Sequence, residues 1–396
     1  MITRFRVVHY KALKDVTLDL TPIHVLIGPN DTGKSSILHA ILTLCRSVDH
    51  ELREAFTGSW DGNDLVWRGS SDMTVALTAT VTNGEAQFNY ELDCRFPPKG
   101  RTAKVWREVF SYTVEREPLK FESENHIQSG VFTVPFQGNR TSDELRSAAT
   151  AVRDALLGVQ YYRWVPSQLA LPVAPDSKVR YRMEPSGFGL ARCLDDILGY
   201  DRERFNSLEK RFLEIFPAFK AIMLNPEMAY KAPTDAAEQV DMLTKADGKG
   251  IYFRLTTGGT EVSAAQTSDG ALLVLAYLAV LYLPKPPRVL LVEEPENGIH
   301  PKRLQDVLKI LRELVSEQSH TQVILTTHSP YVVDLFKPEE VTLCRKASDG
   351  SISVRRLLES KKVREQLDVF TLGEIWTGEG DEALAEPAAS QEAPAP

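Results

Sequence analysis

The chain has 396 residues, 43% of them hydrophobic and 25% charged, proportions that support a sizeable core and exclude bulk disorder. Acidic side chains (54) outnumber basic ones (46), for a net charge of −8. That excludes a generally basic nucleic-acid coat but not a local basic groove.

Residues 2–27 predict two strands, in which Phe5 and Val7, then Val16, Leu18 and Leu20, repeat with period two, followed by the compact apolar strand Ile23 to Ile27. A glycine-rich turn leads into a helical run from Ser35 to Leu44. Between 73 and 135, Thr, Val, Phe and Tyr alternate with polar residues in MTVALTATVTN, FNYELDCRF, VFSYTVERE and VFTVPF. Turn residues stand at Asn83-Gly84, Pro97 to Gly100 and Ser129-Gly130. The pattern predicts an antiparallel, β-rich subdomain. Residues 141–157 and 194–222 return to helical spacing, the second through Leu194, Ile197, Leu198, Phe205, Leu208, Phe212 and Ile215. The proline-rich stretch from Tyr161 to Pro175 reads as loops, and 223–250 as polar chain with a turn at Asp247-Gly248-Lys249-Gly250. The longest apolar run, Ala271 to Leu283, is shorter than the roughly 20 residues a membrane helix needs and reads as a buried helix. RVLLVE and QVILTT are continuous apolar runs of the buried parallel-strand kind. The helix between them carries Leu304, Val307, Leu308, Leu311, Leu314 and Val315. Glu386 to Pro396, rich in Ala, Pro, Glu and Ser, reads as a disordered tail.

Cys45, Cys94, Cys193 and Cys344 lie far apart and form no CxxC pair, which argues against a zinc ribbon or a disulfide framework and for a reduced, cytoplasmic compartment. The N-terminus alternates apolar and polar residues and lacks the apolar core of a secretory signal.

Gly28-Pro29-Asn30-Asp31-Thr32-Gly33-Lys34-Ser35, with Ser36 next, fills every fixed position of GxxxxGK[ST] between an apolar strand and a helix. Glycines let backbone N–H groups close around phosphate oxygens, and the helix N-terminus adds partial positive charge. Lys34 can reach the β- and γ-phosphates, and the Ser35 hydroxyl can ligate magnesium. The expected ligands are therefore a nucleoside triphosphate and Mg2+. Hydrolysis needs an acid near the metal and a group that positions water. Glu293 and Glu294 follow the apolar run Val289 to Val292, at the strand end where open α/β sheets bind ligands. Glu293 is expected to hold magnesium through water, and Glu294 to polarise the attacking water. His328, at the tip of the next apolar strand, is placed to hydrogen-bond the γ-phosphate or that water.

The set of cradle, Val292 to Pro301 (VEEPENGIHP) and Thr326 to Pro330 (TTHSP), with Thr267-Ser268-Asp269-Gly270 heading the long apolar helix, resembles the ABC-type ATPase head of RecF, SMC and OLD-like proteins. The resemblance is close over 1–48 and 255–345. It implies an α/β P-loop NTPase: a mixed sheet with flanking helices and an inserted β-rich and helical arm. By resemblance Ser268 and Gly270 contact the γ-phosphate held by a second subunit, Glu293 is the Walker B acid and Glu294 the catalytic glutamate. Pro295 to Gly298 then form the D-loop, His328 is the switch histidine, and Leu372 to Trp376 belong to a C-terminal trailer. Two departures stand out: Glu293 occupies the usual aspartate position, and the signature reads Ser-Asp-Gly rather than Ser-Gly-Gly. No glutamine stands out as the Q-loop, Gln87 and Gln168 both fitting a surface.

The expected divisions are 1–48 and 255–365 for the two parts of the head, 49–140 for the β-rich subdomain, 141–254 for a helical and loop arm, and 366–396 for trailer and tail. The stretch between Lys34 and Ser268 is far longer than in transporter nucleotide domains, and its prolines interrupt any coiled coil. The polar remainder beyond His328 leaves no room for the Toprim nuclease domain of OLD proteins. The resemblance thus implies a head-to-head dimer or higher oligomer, no membrane, and a separate effector such as a nuclease, as in bacterial anti-phage systems. A repair ATPase acting directly on DNA is the alternative, with a transporter-coupled ATPase behind it. Nucleic acid stays open as a partner through Lys99, Arg101, Lys104 and Arg107, through Lys178, Arg180 and Arg182, and through Trp164 and Tyr161-Tyr162. Each of these groups also fits an ordinary charged face or core packing. Asp195-Asp196 and Asp201 read as a solvated face rather than a nuclease centre.

Overall fold

The computed structural model describes residues 1–56, 62–83, 86–96, 104–114, 117–126, 129, 131, 143–176, 180–230, 245–317 and 321–386. The chain divides into two compact units, Met1–Val159 with Arg288–Leu291 and Gln322–Pro396, and Gln160–Pro287 with Val292–Thr321.

The first unit begins with β1 (Ile2–Tyr10) and β2 (Leu13–Asp19), antiparallel, with Phe5 opposite Leu18 and Val7 opposite Val16. The period-two residues of the sequence therefore face one another across the ladder and are buried. β1 also pairs with β4 (Thr74–Asn83), and β5 (Ala86–Arg95), β6 (Lys104–Val114) and β7 (Glu117–His126) extend the antiparallel sheet in the order β2-β1-β4-β5-β6-β7. Strand β7 departs from the sequence expectation. Its sequence EPLKFESENH shows no apolar alternation, and among the described residues it ends the sheet, where charge is tolerated. VFTVPF, expected to be a strand, lies beyond Val131 outside the described residues.

The second sheet runs β15-β14-β3-β13-β12-β8, with β3 at Ile23–Ile27, β8 at Val159–Tyr162, β12 at Val289–Glu293, β13 at Gln322–Thr327, β14 at Val341–Lys346 and β15 at Ile352–Arg356. β3 lies parallel to both β13 and β14, and β15 is antiparallel to β14. Every residue of β3 and β13 is buried, so these strands read as continuous apolar runs rather than alternating ones. Helix α1 (Lys34–Arg46) buries Ile37, Leu38, Ile41 and Leu44 along one face, and α2 (Asp143–Leu156) follows the antiparallel strands.

His24, inside β3, is wholly buried between Thr342 Oγ1, 2.9 Å from Nε2, and Thr21 Oγ1, 3.0 Å from Nδ1. Burial pushes its imidazole down to about 3. The unfolded chain takes up this proton near the ordinary value of about 6.5, and the folded one holds out until about 3. The neutral ring's contribution to stability is therefore complete above about pH 6.5 and is lost as pH falls toward 3, at up to about 1.4 kcal/mol per pH unit. Urea melts of the wild type and of His24→Gln between pH 7 and 4 should differ in slope by one proton; equal slopes would refute a neutral buried ring.

In the second unit, α3 (Pro166–Leu169), α4 (Leu190–Tyr200), α5 (Arg202–Ile215), α6 (Asp269–Leu281) and α7 (Pro301–Glu317) accompany a sheet of β9 (Phe219–Tyr230), β10 (Lys245–Leu255) and β11 (Glu261–Ser263). α6 is apolar all round because α3, α4, α5 and α7 pack against it, and Ala271 to Leu281 are all buried. The helix expected over 194–222 is two helices and a strand. Asp201 caps α5 by accepting from the N–H groups of Glu203 and Arg204. Phe219 leaves helical spacing to join β9, where its ring lies 5.8 Å from Phe212 and 4.9 Å from Phe253. The turn expected at 247–250 is strand β10. A Cβ on Gly248 would stand 2.5 Å from the Val173 carbonyl oxygen, and Val173 and Lys249 exchange backbone hydrogen bonds of 2.9 and 3.1 Å. The glycine marks a close backbone approach inside a strand, not a reversal. The stretch Tyr161–Pro175, expected as loops, holds the end of β8 and the single turn of α3.

Candidate functional site

In the first unit, Thr327 pairs with Ile27 on one side of β3 and Leu343 with Ile27 on the other. Gly28, His328 and Cys344 are therefore the next residues along three adjacent parallel strands. A Cβ on Gly28, at φ +138°, would stand 2.3 Å from the Cys344 carbonyl oxygen, so only glycine fits. Gly33, at φ +78°, caps α1. Between them Thr32 Oγ1 donates to the Pro29 carbonyl at 2.8 Å, and Lys34 Nζ donates to the carbonyls of Gly28 and Pro29, each at 2.7 Å. Asp31 sits at φ 66°. Its carboxylate meets Lys346 Nζ at 2.6 Å, and that partner holds it below the usual carboxylate range. The first turn of α1 carries no acidic side chain, so nothing there competes with an anion for the helix N–H groups. Pro29, Asn30, Ser35 and His328 are exposed, Ser36 is half-buried, and Lys34 is buried.

In the second unit, Glu293 ends β12 and is buried. Its Oε1 is a buried oxygen with no hydrogen-bond partner among the described residues, and its Oε2 lies 3.7 Å from Arg163 Nε. Glu294 takes φ 48°, a conformation that costs a non-glycine residue about 1–3 kcal/mol unless its surroundings impose it. Asn297 helps impose it: its Nδ2 donates to Glu294 Oε2 at 2.7 Å, and its backbone N–H donates to the Glu294 carbonyl at 3.0 Å. Ser268 is the exposed N-cap of α6, and its hydroxyl does not cap its own helix. The nearest atom to a Cβ built on Gly270 is the Gly298 carbonyl oxygen at 3.9 Å.

The predicted residues divide between the units: Gly28–Ser36 and His328, which neighbouring strands bring together, in the first, and Glu293, Glu294, Ser268 and Gly270 in the second. The sequence did not single out Lys346, or Arg163 and Tyr161 as neighbours of Glu293. The only signal for the last two is the alternation Tyr161-Tyr162-Arg163-Trp164, which puts the first and third side chains on one strand face. Tyr161 is pushed up by burial, then by the charge of Glu293 and hydrogen bonding to it. Trp164 packs in the core against Tyr162 and Tyr277, with ring centroids 4.8 and 4.5 Å away.

The family model described as "AAA domain, putative AbiEii toxin, Type IV TA system" matches residues 23–334. The chain belongs to this family. An OLD nuclease of Thermus scotoductus is 24% identical over 378 residues, a match covering 91% of this chain and 65% of that protein. The chain therefore spans just under two thirds of its relative's length. A crystal structure of an SMC head bound to the C-winged helix domain of ScpA shares the fold, with a TM-score of 0.51 at 15% identity, over 89% of this chain and 97% of that one. Family and fold together are those of an ABC-type P-loop ATPase head of the RecF/SMC/OLD-like group.

Other candidates in this ATPase head are engaged structurally. Arg107 meets Glu122 at 3.0 Å and Glu91 at 3.1 Å. Arg180 meets Asp196 at 3.4 Å, and Asp195 accepts from Lys249 at 2.5 Å. Arg180 and Arg182 lie in no strand, and Lys99, Arg101 and Lys178 fall outside the described residues. All four cysteines are buried and unpaired. No helix among the described residues is long and apolar enough to cross a membrane.

Proposed function

We propose that this head binds ATP with magnesium in the Gly28–Ser36 cradle and hydrolyses it in a dimer, the triphosphate being met by Ser268 and Gly270 of a second copy. The cradle carries the ATP assignment: a loop whose first glycine admits no side chain opens onto a helix whose first turn carries no acidic side chain. Lys34 and the loop N–H groups bind the phosphates. Ser35 and, through water, Glu293 would hold the metal, whose chemistry is to neutralise charge on the phosphate oxygens. The orphaned Glu293 Oε1 and the exposed Ser35 hydroxyl are hard oxygen donors suited to magnesium. Glu294 takes up the proton of the attacking water, and His328 orients it.

The dimer is supported by Gly270. Neither a positive φ nor a crowded Cβ demands glycine there, so a methyl added at this position would meet only what a second copy brings. Ala in place of a helical glycine stabilises by up to about 1 kcal/mol. Gly270→Ala should therefore melt no lower than the wild type and bind ATP as well, yet lose ATP-dependent dimerisation and most turnover. Loss of folding, or full activity, would sink the assignment.

The ATP-driven closing and opening of the dimer gates a separate effector such as a nuclease in cytoplasmic anti-phage defence. The toxin–antitoxin description of the family and the nuclease name of the relative support this direction. Direct action on DNA is the weaker reading because Arg107 and Arg180 already face acids. DNA-stimulated hydrolysis with a steep salt dependence would reverse that order.

A further inference from the structure

Tyr161 lies in β8 and Arg163 just past its end; Arg163 Nε stands 3.7 Å from Glu293 Oε2, the charge of Glu293 acts on the Tyr161 hydroxyl, and Tyr162 and Trp164 enter the core. The strand period produces this division. Backbone bonds hold the segment: Arg163 N–H donates to the Pro185 carbonyl at 2.9 Å, and Val165 N–H to that of Ser186 at 2.8 Å. The two side chains differ in setting, since Arg163 is 64% exposed and the Glu293 side chain only 3%. One carboxylate oxygen faces the guanidinium, and the other is buried with no partner among the described residues. A glutamate side chain has several rotatable bonds, so it needs a second point of attachment to present an oxygen at a fixed place.

We propose that Tyr161 and Arg163 are positioning residues that clamp Glu293 by one oxygen and so aim the other at the magnesium shell. The idea rests on Glu293 being the metal-side carboxylate, and the experiment separates the two claims.

The full-length protein is titrated with Mg2+, and binding of the non-hydrolysable analogue AMP-PNP is followed by calorimetry, which needs no turnover. Losing an orienting partner of a metal ligand weakens metal affinity by about tenfold or more. Tyr161→Phe, which keeps the ring, and Arg163→Ala should each raise the half-saturating Mg2+ concentration about tenfold. Arg163→Lys, which keeps the charge that faces Glu293, should stay nearer the wild type than Arg163→Ala. In a Glu293→Asp background, where the shorter acid falls short of the clamp, Tyr161→Phe should change nothing further. If Glu293→Gln raises the Mg2+ requirement but Tyr161→Phe does not, the clamp is refuted and the metal assignment stands. An equal effect of Tyr161→Phe in the Glu293 and Asp backgrounds refutes it too. If Glu293→Gln has no effect, the metal assignment falls and takes the clamp with it. Unchanged melting of Tyr161→Phe excludes misfolding as the cause.

Discussion

Lys34→Ala should abolish ATP binding, by more than about a hundredfold in affinity, while the protein stays folded. Two contributions add. The ammonium supplies a full positive charge to phosphate oxygens, and charge-assisted hydrogen bonds of this kind are worth roughly twice neutral ones. It also bonds the carbonyls of Gly28 and Pro29 and so ties the start of the loop to the helix. Lys34 is 7% exposed, so its removal also leaves a void. That void is small beside the Ile37, Leu38, Ile41 and Leu44 face by which α1 is held. Equilibrium binding of a fluorescent ATP analogue, beside a thermal melt, checks both points. Retained binding would show that the loop N–H groups suffice and would strip Lys34 of its role; a collapsed melt would show that it acts as a strut. Lys34→Arg separates charge from fit, since a guanidinium keeps the charge but is too broad for the space between two loop carbonyls.

The legible parts of this chain are those where one segment suffices for its own structure. Ile23–Ile27 with Gly28–Ser35 could be read because the strand is buried on both faces and the loop must spell out glycine at a position where the Cys344 carbonyl leaves no space. α6 could be read because eleven consecutive buried positions leave no polar face to confuse its period. What stayed hidden depended on distant partners. Gly248 imitates a turn residue until Val173, far away in sequence, is laid against it. β7 hides because it ends the sheet among the described residues, where a strand can carry charge. β1 gave no sign that β4 would pair with it, so the antiparallel sheet draws strands from either side of the expected boundary at 48. At the site the same rule holds. The identity of Glu293 is written locally, but its nearness to Arg163 is set by a fold that joins chain segments over a hundred residues apart, and no local pattern encodes that.

Glu294→Gln should leave ATP affinity and folding intact and lower turnover by about a hundredfold to ten-thousandfold, the usual contribution of general base catalysis. The substitution preserves shape, and the amide oxygen can still accept from Asn297 Nδ2, which meets the carboxylate at 2.7 Å. The turn that holds φ 48° is kept by the Asn297 backbone N–H, so the side chain still leaves the backbone in the same direction. What disappears is the negative charge that draws the proton from water. If closure of the dimer needs bound ATP and opening needs hydrolysis, the variant accumulates as the closed species. Light scattering with ATP should then show a stable dimer for Glu294→Gln, where the wild type returns to monomer as ATP is consumed. The Asn297→Ala variant tests the geometric half of the argument. It keeps the charge but removes the amide bond to the carboxylate, and should lower turnover by less than Glu294→Gln without trapping the dimer. Normal hydrolysis by Glu294→Gln would move the base elsewhere, and His328, one residue beyond the Thr327–Ile27 pair, would be the next residue to test.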